Sequence, residues 1–218
     1  MASLGAWSAR AANWLGKGGF LIFLSICISG VVTGCASNKA KDAYADAFQK
    51  FQAGDYEAAI NAYDKAITAR PLDAVLYNSR GAAKRRSGDS QGAINDYSKA
   101  IEINPKYEEA FINRGMAKSY LEDANGAAMD FSKAIQINPK NPIAYYNRGV
   151  VIHDMQDEQG AINDWTTAIE IDPKYADAYL NRGIANETLG DLKGACADWQ
   201  KAVDLGLRDP ASWIEKQC

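Results

Sequence analysis

The chain has 218 residues, 47% of them hydrophobic, and its 24 Lys and Arg against 27 Asp and Glu leave a net charge of −3. That balance suits a soluble folded body and lacks the basic excess of a nucleic-acid binder. With a single histidine and four cysteines, none of them in a Cys-x-x-Cys pair, a zinc site built by the protein is not expected.

From the N-terminus, residues 1–17 carry Arg10 and Lys17 and no acid. They lead into FLIFLSICISGVV, Phe20 to Val32, an apolar run short for a membrane span. Val32-Thr33-Gly34-Cys35 follows and resembles the lipobox of bacterial lipoproteins. The resemblance implies a signal peptide over 1–34, with Cys35 acylated as the first mature residue and inserted in a membrane, each buried methylene contributing about 0.8 kcal/mol. Ala36, in place of aspartate, resembles the outer-membrane sorting signal of enteric-type bacteria, which would put the protein on the periplasmic side of the outer membrane. The same segment has two other readings, an uncleaved anchor on a cytoplasmic protein and an ordinary signal peptide whose cysteine is incidental. Residues 35–42 then form the lipidated cysteine and a short polar tether. In an oxidising periplasm, Cys196 and Cys218 are expected to form a disulfide closing a loop of about 22 residues, worth about 3 kcal/mol.

Beyond the tether a period is visible. Pro71, Pro105, Pro139 and Pro173 are spaced by 34 residues, and each unit between them reads as two amphipathic helices and a turn. Small residues recur at position 8 (Gly81, Gly115, Gly149, Gly183) and position 20 (Ala59, Ala93, Ala127, Ala161, Ala195), where they let two helices approach. Position 24 carries a large wedge: Tyr63, Tyr97, Phe131, Trp165, Trp199. Position 16 is Asp55, Asp89, Asp123, Asp157 and Asp191, placed to cap the second helix. These residues resemble the tetratricopeptide repeat. The implied fold is all-α, a right-handed superhelical α-solenoid of five helix pairs (43–73, 74–107, 108–141, 142–175, 176–209), with 210–218 as a capping helix over the last exposed face.

Position 7 holds Arg80, Arg114, Arg148 and Arg182, where the family usually has leucine, and position 23 holds Asp96, Asp130, Asp164 and Asp198. Both positions lie on the faces where the two helices of a repeat meet. Repeat one lacks both, with Asp46 and Ala62 instead. The expectation is an ion pair within each repeat. The aspartate of the preceding repeat is an alternative partner, and Lys216 would then meet Asp198.

The resemblance also implies that first helices line a concave groove. Position 6 presents Asn113, Asn147 and Asn181, with Ser79 in repeat two. An unpaired amide there can donate to and accept from one peptide unit, like the asparagine ladder of peptide-binding members, and a solvated polar face is the plainer reading. Arg85, Arg86 and Tyr146 are further groove candidates, as are Tyr44, Phe48 and Phe51, which fall off the expected apolar stripe, so that helix one shifts register or exposes them. Asp154, Asp177 and Glu187 lie toward the far end, a gradient that suggests an acidic ligand segment near repeat two. The lysine pattern of carboxylate-clamping members is not reproduced. Walker and His–Glu metal motifs are missing, and no cofactor or catalysis is expected. The implied function is a lipid-anchored scaffold or adaptor that binds a protein or peptide, with no nucleic-acid partner. A structural envelope component that oligomerises is the alternative.

Overall fold

A computed structural model describes residues 42–208 and 210–218; the expected signal peptide, Cys35 and all of the tether except Asp42 lie outside them. Every regular element among the described residues is a helix. In chain order they are α1 (42–52), α2 (Tyr56–Ala69), α3 (Ala74–Arg86), α4 (Ser90–Ile103), α5 (Glu108–Tyr120), α6 (Ala124–Ile137), α7 (Pro142–Asp154), α8 (Glu158–Ile171), α9 (Ala176–Thr188), α10 (Leu192–Asp204) and α11 (Ala211–Gln217). None is long and apolar enough to cross a membrane.

Each second helix starts at its aspartate. Asp55, Asp89, Asp123, Asp157 and Asp191 accept the backbone N–H three residues on, at 2.8–3.1 Å, which satisfies one of the donors a helix leaves unpaired at its start. The preceding turn needs a left-handed residue. Gly54, Gly88 and Gly190 supply it, but Glu122 (φ 64°) and Gln156 (φ 66°) occupy it in repeats three and four.

The two helices of a repeat close on the wedge at position 24. Tyr63, Tyr97, Phe131, Trp165 and Trp199 are all fully buried. Closeness is set by the position-8 glycines. A methyl group on Gly149 would lie 2.7 Å from Trp165 Nε1, and one on Gly183 2.6 Å from Trp199, so even alanine is too large. In repeat one that position is Ala47, fully buried, so α1 keeps the register of the other first helices.

Stacking continues from repeat to repeat. α3 touches α5, α5 touches α7 and α7 touches α9, with no comparable contact among α2, α4, α6, α8 and α10. The first helices are therefore the inner, shorter-radius layer of an α-solenoid, and one face of each lines its concavity. At the C-terminal end α11 covers the last repeat: Trp213 packs edge-on against Trp199 with ring centres 5.4 Å apart, and a disulfide joins Cys196 in α10 to Cys218.

Candidate functional site

The arginines at position 7 do not reach the groove surface. Arg80, Arg114, Arg148 and Arg182 each donate Nε and Nη2 to the aspartate sixteen residues on, at 2.5–2.9 Å, in the planar two-bond geometry a guanidinium favours. The remaining nitrogen, Nη1, reaches back to the preceding repeat, to Asp64, Ser98, Ser132 and Thr166 respectively. Each guanidinium also lies 5.5–5.9 Å from the aromatic ring three residues earlier (Tyr77, Phe111, Tyr145, Tyr179). One side chain thus ties together both helices of its repeat and the second helix before it. Hydrogen bonding to aspartate raises the pKa of Arg80, Arg148 and Arg182 above its already high ordinary value, outweighing partial burial.

The buried aspartates differ in their second partner. Lys84 reaches Asp96 at 2.9 Å and Lys118 reaches Asp130 at 2.8 Å, while Asn186 donates to Asp198 at 3.2 Å. In repeat four the corresponding residue is Ile152, which brings no donor to Asp164. The alternative partners expected from sequence are not used: position 25, not position 23, of the preceding repeat meets each arginine, and Lys216 is exposed while Asp198 is held by Arg182. Asp46, without an arginine partner, pairs with Lys50 at 2.6 Å.

On the inner layer the asparagines are not the unpaired amides expected. Asn113 donates to Asn78 Oδ1 at 3.0 Å and Asn181 to the Tyr146 hydroxyl at 3.2 Å, each bonding position 5 of the preceding repeat. Asn147 faces Ile112 at that place, finds no polar partner across the boundary, and donates instead to the Ile143 carbonyl of its own helix at 2.7 Å. Asn78 is almost fully buried and spends both N–H donors, on the Tyr107 hydroxyl (3.3 Å) and on Glu109 (3.2 Å). Burial, with the Glu109 charge second, pushes the Tyr107 hydroxyl up to about 12. Burial likewise raises Tyr146 and Tyr175, whose rings sit 4.8 Å apart, and the Asp177 charge adds to both shifts.

Since α1 keeps register, its aromatics point into the concavity. Tyr44 and Phe51 pack partly onto the first core cluster, and Phe48 stays 44% exposed, stacked parallel to Tyr44. With Tyr63, Asn78, Ser79, Ala82 and Glu109 they line a pocket of about 210 Å³. Neither Arg85 nor Arg86 lines it. Arg85 lies half-buried beside Tyr97, where its charge opposes the upward shift that burial gives the Tyr97 hydroxyl; Arg86 is exposed. The basic character expected for this end of the groove is therefore missing from the pocket itself, and Glu109 supplies its one formal charge. Farther along, His153 pairs with Glu158 at 2.6 Å and lines a small cavity of about 60 Å³ with Val150, Trp165, Asn181 and Ile184. Among the described residues no cluster of His, Cys, Asp and Glu could hold a metal.

Two family models match the chain. One described as TPR repeat covers residues 83–119, 120–156 and 153–190, and one described as tetratricopeptide repeat covers 50–71, together more than half of the chain. No curated protein sequence matches it. Among solved structures, MamA is similar at 27% identity and TM-score 0.68, over 73% of this chain and 93% of MamA. YrrB, described as a TPR protein with an unusual peptide-binding site, shares the fold at 21% identity and TM-score 0.66, over 80% and 90%. The first TPR of Spaghetti (RPAP3), bound to the HSP90 peptide SRMEEVD, is similar at 26% identity and TM-score 0.54, over 56% of this chain and 96% of the other.

Proposed function

We propose, from the premise that the chain belongs to the tetratricopeptide-repeat proteins, that its inner face binds an extended segment of a partner protein. It does so as a non-enzymatic scaffold tethered to a membrane by acylated Cys35. The observation that carries this reading is the pocket of about 210 Å³ walled by Tyr44, Phe48, Phe51 and Tyr63, which opens on the concave layer and leaves Phe48 exposed. An apolar hollow with a few fixed polar groups at its rim can seat one large side chain and set the register of the chain that carries it. Asn113 and Asn181 keep one N–H and an amide oxygen beyond their inter-repeat bonds, enough for a peptide unit passing over them. The first TPR of Spaghetti (RPAP3), similar at 26% identity, is bound to a peptide, a precedent for peptide binding by a repeat of this fold.

Anchoring rests on Val32-Thr33-Gly34-Cys35, and Ala36 after it favours the periplasmic face of the outer membrane. Palmitate labelling of the cell-expressed chain should be lost in Cys35→Ala; an unlabelled parent chain would overturn the anchor. For the groove, a photo-crosslinking residue at Phe48 should trap a partner in intact cells. The same residue at Met129, which is 73% exposed on the outer layer, should not. Crosslinks from Met129 alone would place the partner on the convex side and contradict the reading.

A further inference from the structure

The inner face repeats a second pattern, at twice the period of the fold. At the boundary of repeats two and three, position 34 is Tyr107, position 2 of the next helix is Glu109 and position 6 is Asn113. At the boundary of repeats four and five the same places hold Tyr175, Asp177 and Asn181. At the boundary between them stand Asn141, Ile143 and Asn147, with Ile143 exposed and no carboxylate at position 2. The concave wall thus carries two tyrosine–carboxylate stations separated by an apolar step.

The charged group of each station is a carboxylate, which accepts and does not donate. At the first, both N–H groups of Asn78 are spent on Tyr107 and Glu109, and its carbonyl is taken by Asn113, so the Glu109 carboxylate is held in place with lone pairs left over. It lies on the rim of the pocket whose other walls are the rings of Tyr44, Phe48, Phe51 and Tyr63, and no basic side chain lines that pocket. Ring faces carry negative potential, and a cation over them beside a carboxylate gains from both. At the second station the rings of Tyr146 and Tyr175 lie 4.8 Å apart, tilted by 33°, beside exposed Asp177, whose charge raises both hydroxyls, while Asn181 donates to the Tyr146 oxygen. The acidic excess of the whole chain acts in the same direction.

Building on the groove reading above, we propose that the inner face selects an extended peptide bearing two basic side chains. The first sits in the Tyr44–Phe48–Phe51 pocket against Glu109, and the second against Asp177 beside Tyr146 and Tyr175. Neighbouring first helices pack about 8–10 Å apart, so two repeats span about 16–20 Å, which an extended chain rising about 3.3 Å per residue covers in five or six residues. This is the opposite charge preference to the one suggested by Arg85 and Arg86 in the sequence, and it follows from neither of them lining the pocket.

The test uses the full chain in a mild non-ionic detergent and fluorescein-labelled glycine–serine peptides of equal length. One carries two arginines about six residues apart, one two glutamates and one two leucines at the same places. The arginine peptide should bind at least about ten-fold more tightly than the glutamate peptide. Glu109→Gln with Asp177→Asn should remove that preference while the circular-dichroism melt stays unchanged. Equal or tighter binding of the glutamate peptide, or an arginine preference that survives the double variant, would overturn the charge assignment. Peptide binding that is lost in Phe48→Ala would still uphold the groove in that case. Failure of all three peptides to bind would overturn both readings.

Discussion

Arg148 and Arg114 make the same three contacts, yet they should not cost the same to remove. Asp130 has Lys118 at 2.8 Å as a second cation, whereas Asp164 has Arg148 alone because Ile152 stands where the lysine would be. Arg148→Leu should therefore destabilise by about 3–5 kcal/mol, the cost of an uncompensated buried charge, and Arg114→Leu by clearly less. Urea unfolding of the two variants checks the order, and adding Asp164→Leu to Arg148→Leu should recover most of the loss. Tyr107 predicts an alkaline limit. Its folded pKa is raised from 10.0 to about 12, so the stability it contributes is complete below pH 10 and declines as pH rises toward 12, where only the unfolded chain ionises freely. Melting temperatures across that window should fall less in Tyr107→Phe than in the parent. The arginine–aspartate pairing was legible in the sequence because the 34-residue period fixes both positions. The third contact was missed, although position 25 of the preceding repeats reads Asp64, Ser98, Ser132 and Thr166, a small polar side chain each time. Asparagine pairing was harder to read, since its partner position varies from Asn78 to Ile112 to Tyr146 and only contact across repeats gives that variation meaning.

Helices and turns set the next scale. Glu122 and Gln156 occupy left-handed backbone that glycine fills in repeats one, two and five. Replacing each by glycine should stabilise by about 1 kcal/mol, because the relief of Cβ strain exceeds the added freedom of the unfolded chain. Gly149→Ala should act the other way, by about 1–3 kcal/mol, since its methyl would meet the Trp165 ring at 2.7 Å. Both changes can be read from chemical denaturation midpoints. At the C-terminus, α11 is a seven-residue helix that depends on Trp213 against Trp199 and on the Cys196–Cys218 bond. Cys196→Ser should lower stability by about 3 kcal/mol through the loop it reopens. The near absence of surprises in helix placement has a physical cause. Capping aspartates, tight glycines and terminating prolines each mark a boundary by a local requirement, so no long-range information is needed. The first repeat was ambiguous because Tyr44 and Phe51 pack only partly onto the core and Phe48 stays exposed, and only the burial of Ala47 shows that α1 never left register.

Across the whole molecule, stacking the first helices into an inner layer turns isolated side chains into a surface. Tyr44 on α1, Asn78 on α3 and Glu109 on α5 are far apart in sequence and share one pocket wall. The arginine struts stiffen the stack behind that surface and leave the tyrosines, carboxylates and asparagines in front of it. Amide hydrogen exchange on the full chain, with and without a saturating extended peptide bearing two arginines, tests this division most directly. The account predicts added protection along α1, α3, α5 and α9 and no change along α4, α6 and α8. Protection confined to the outer helices, or none anywhere with the peptide bound, would contradict it.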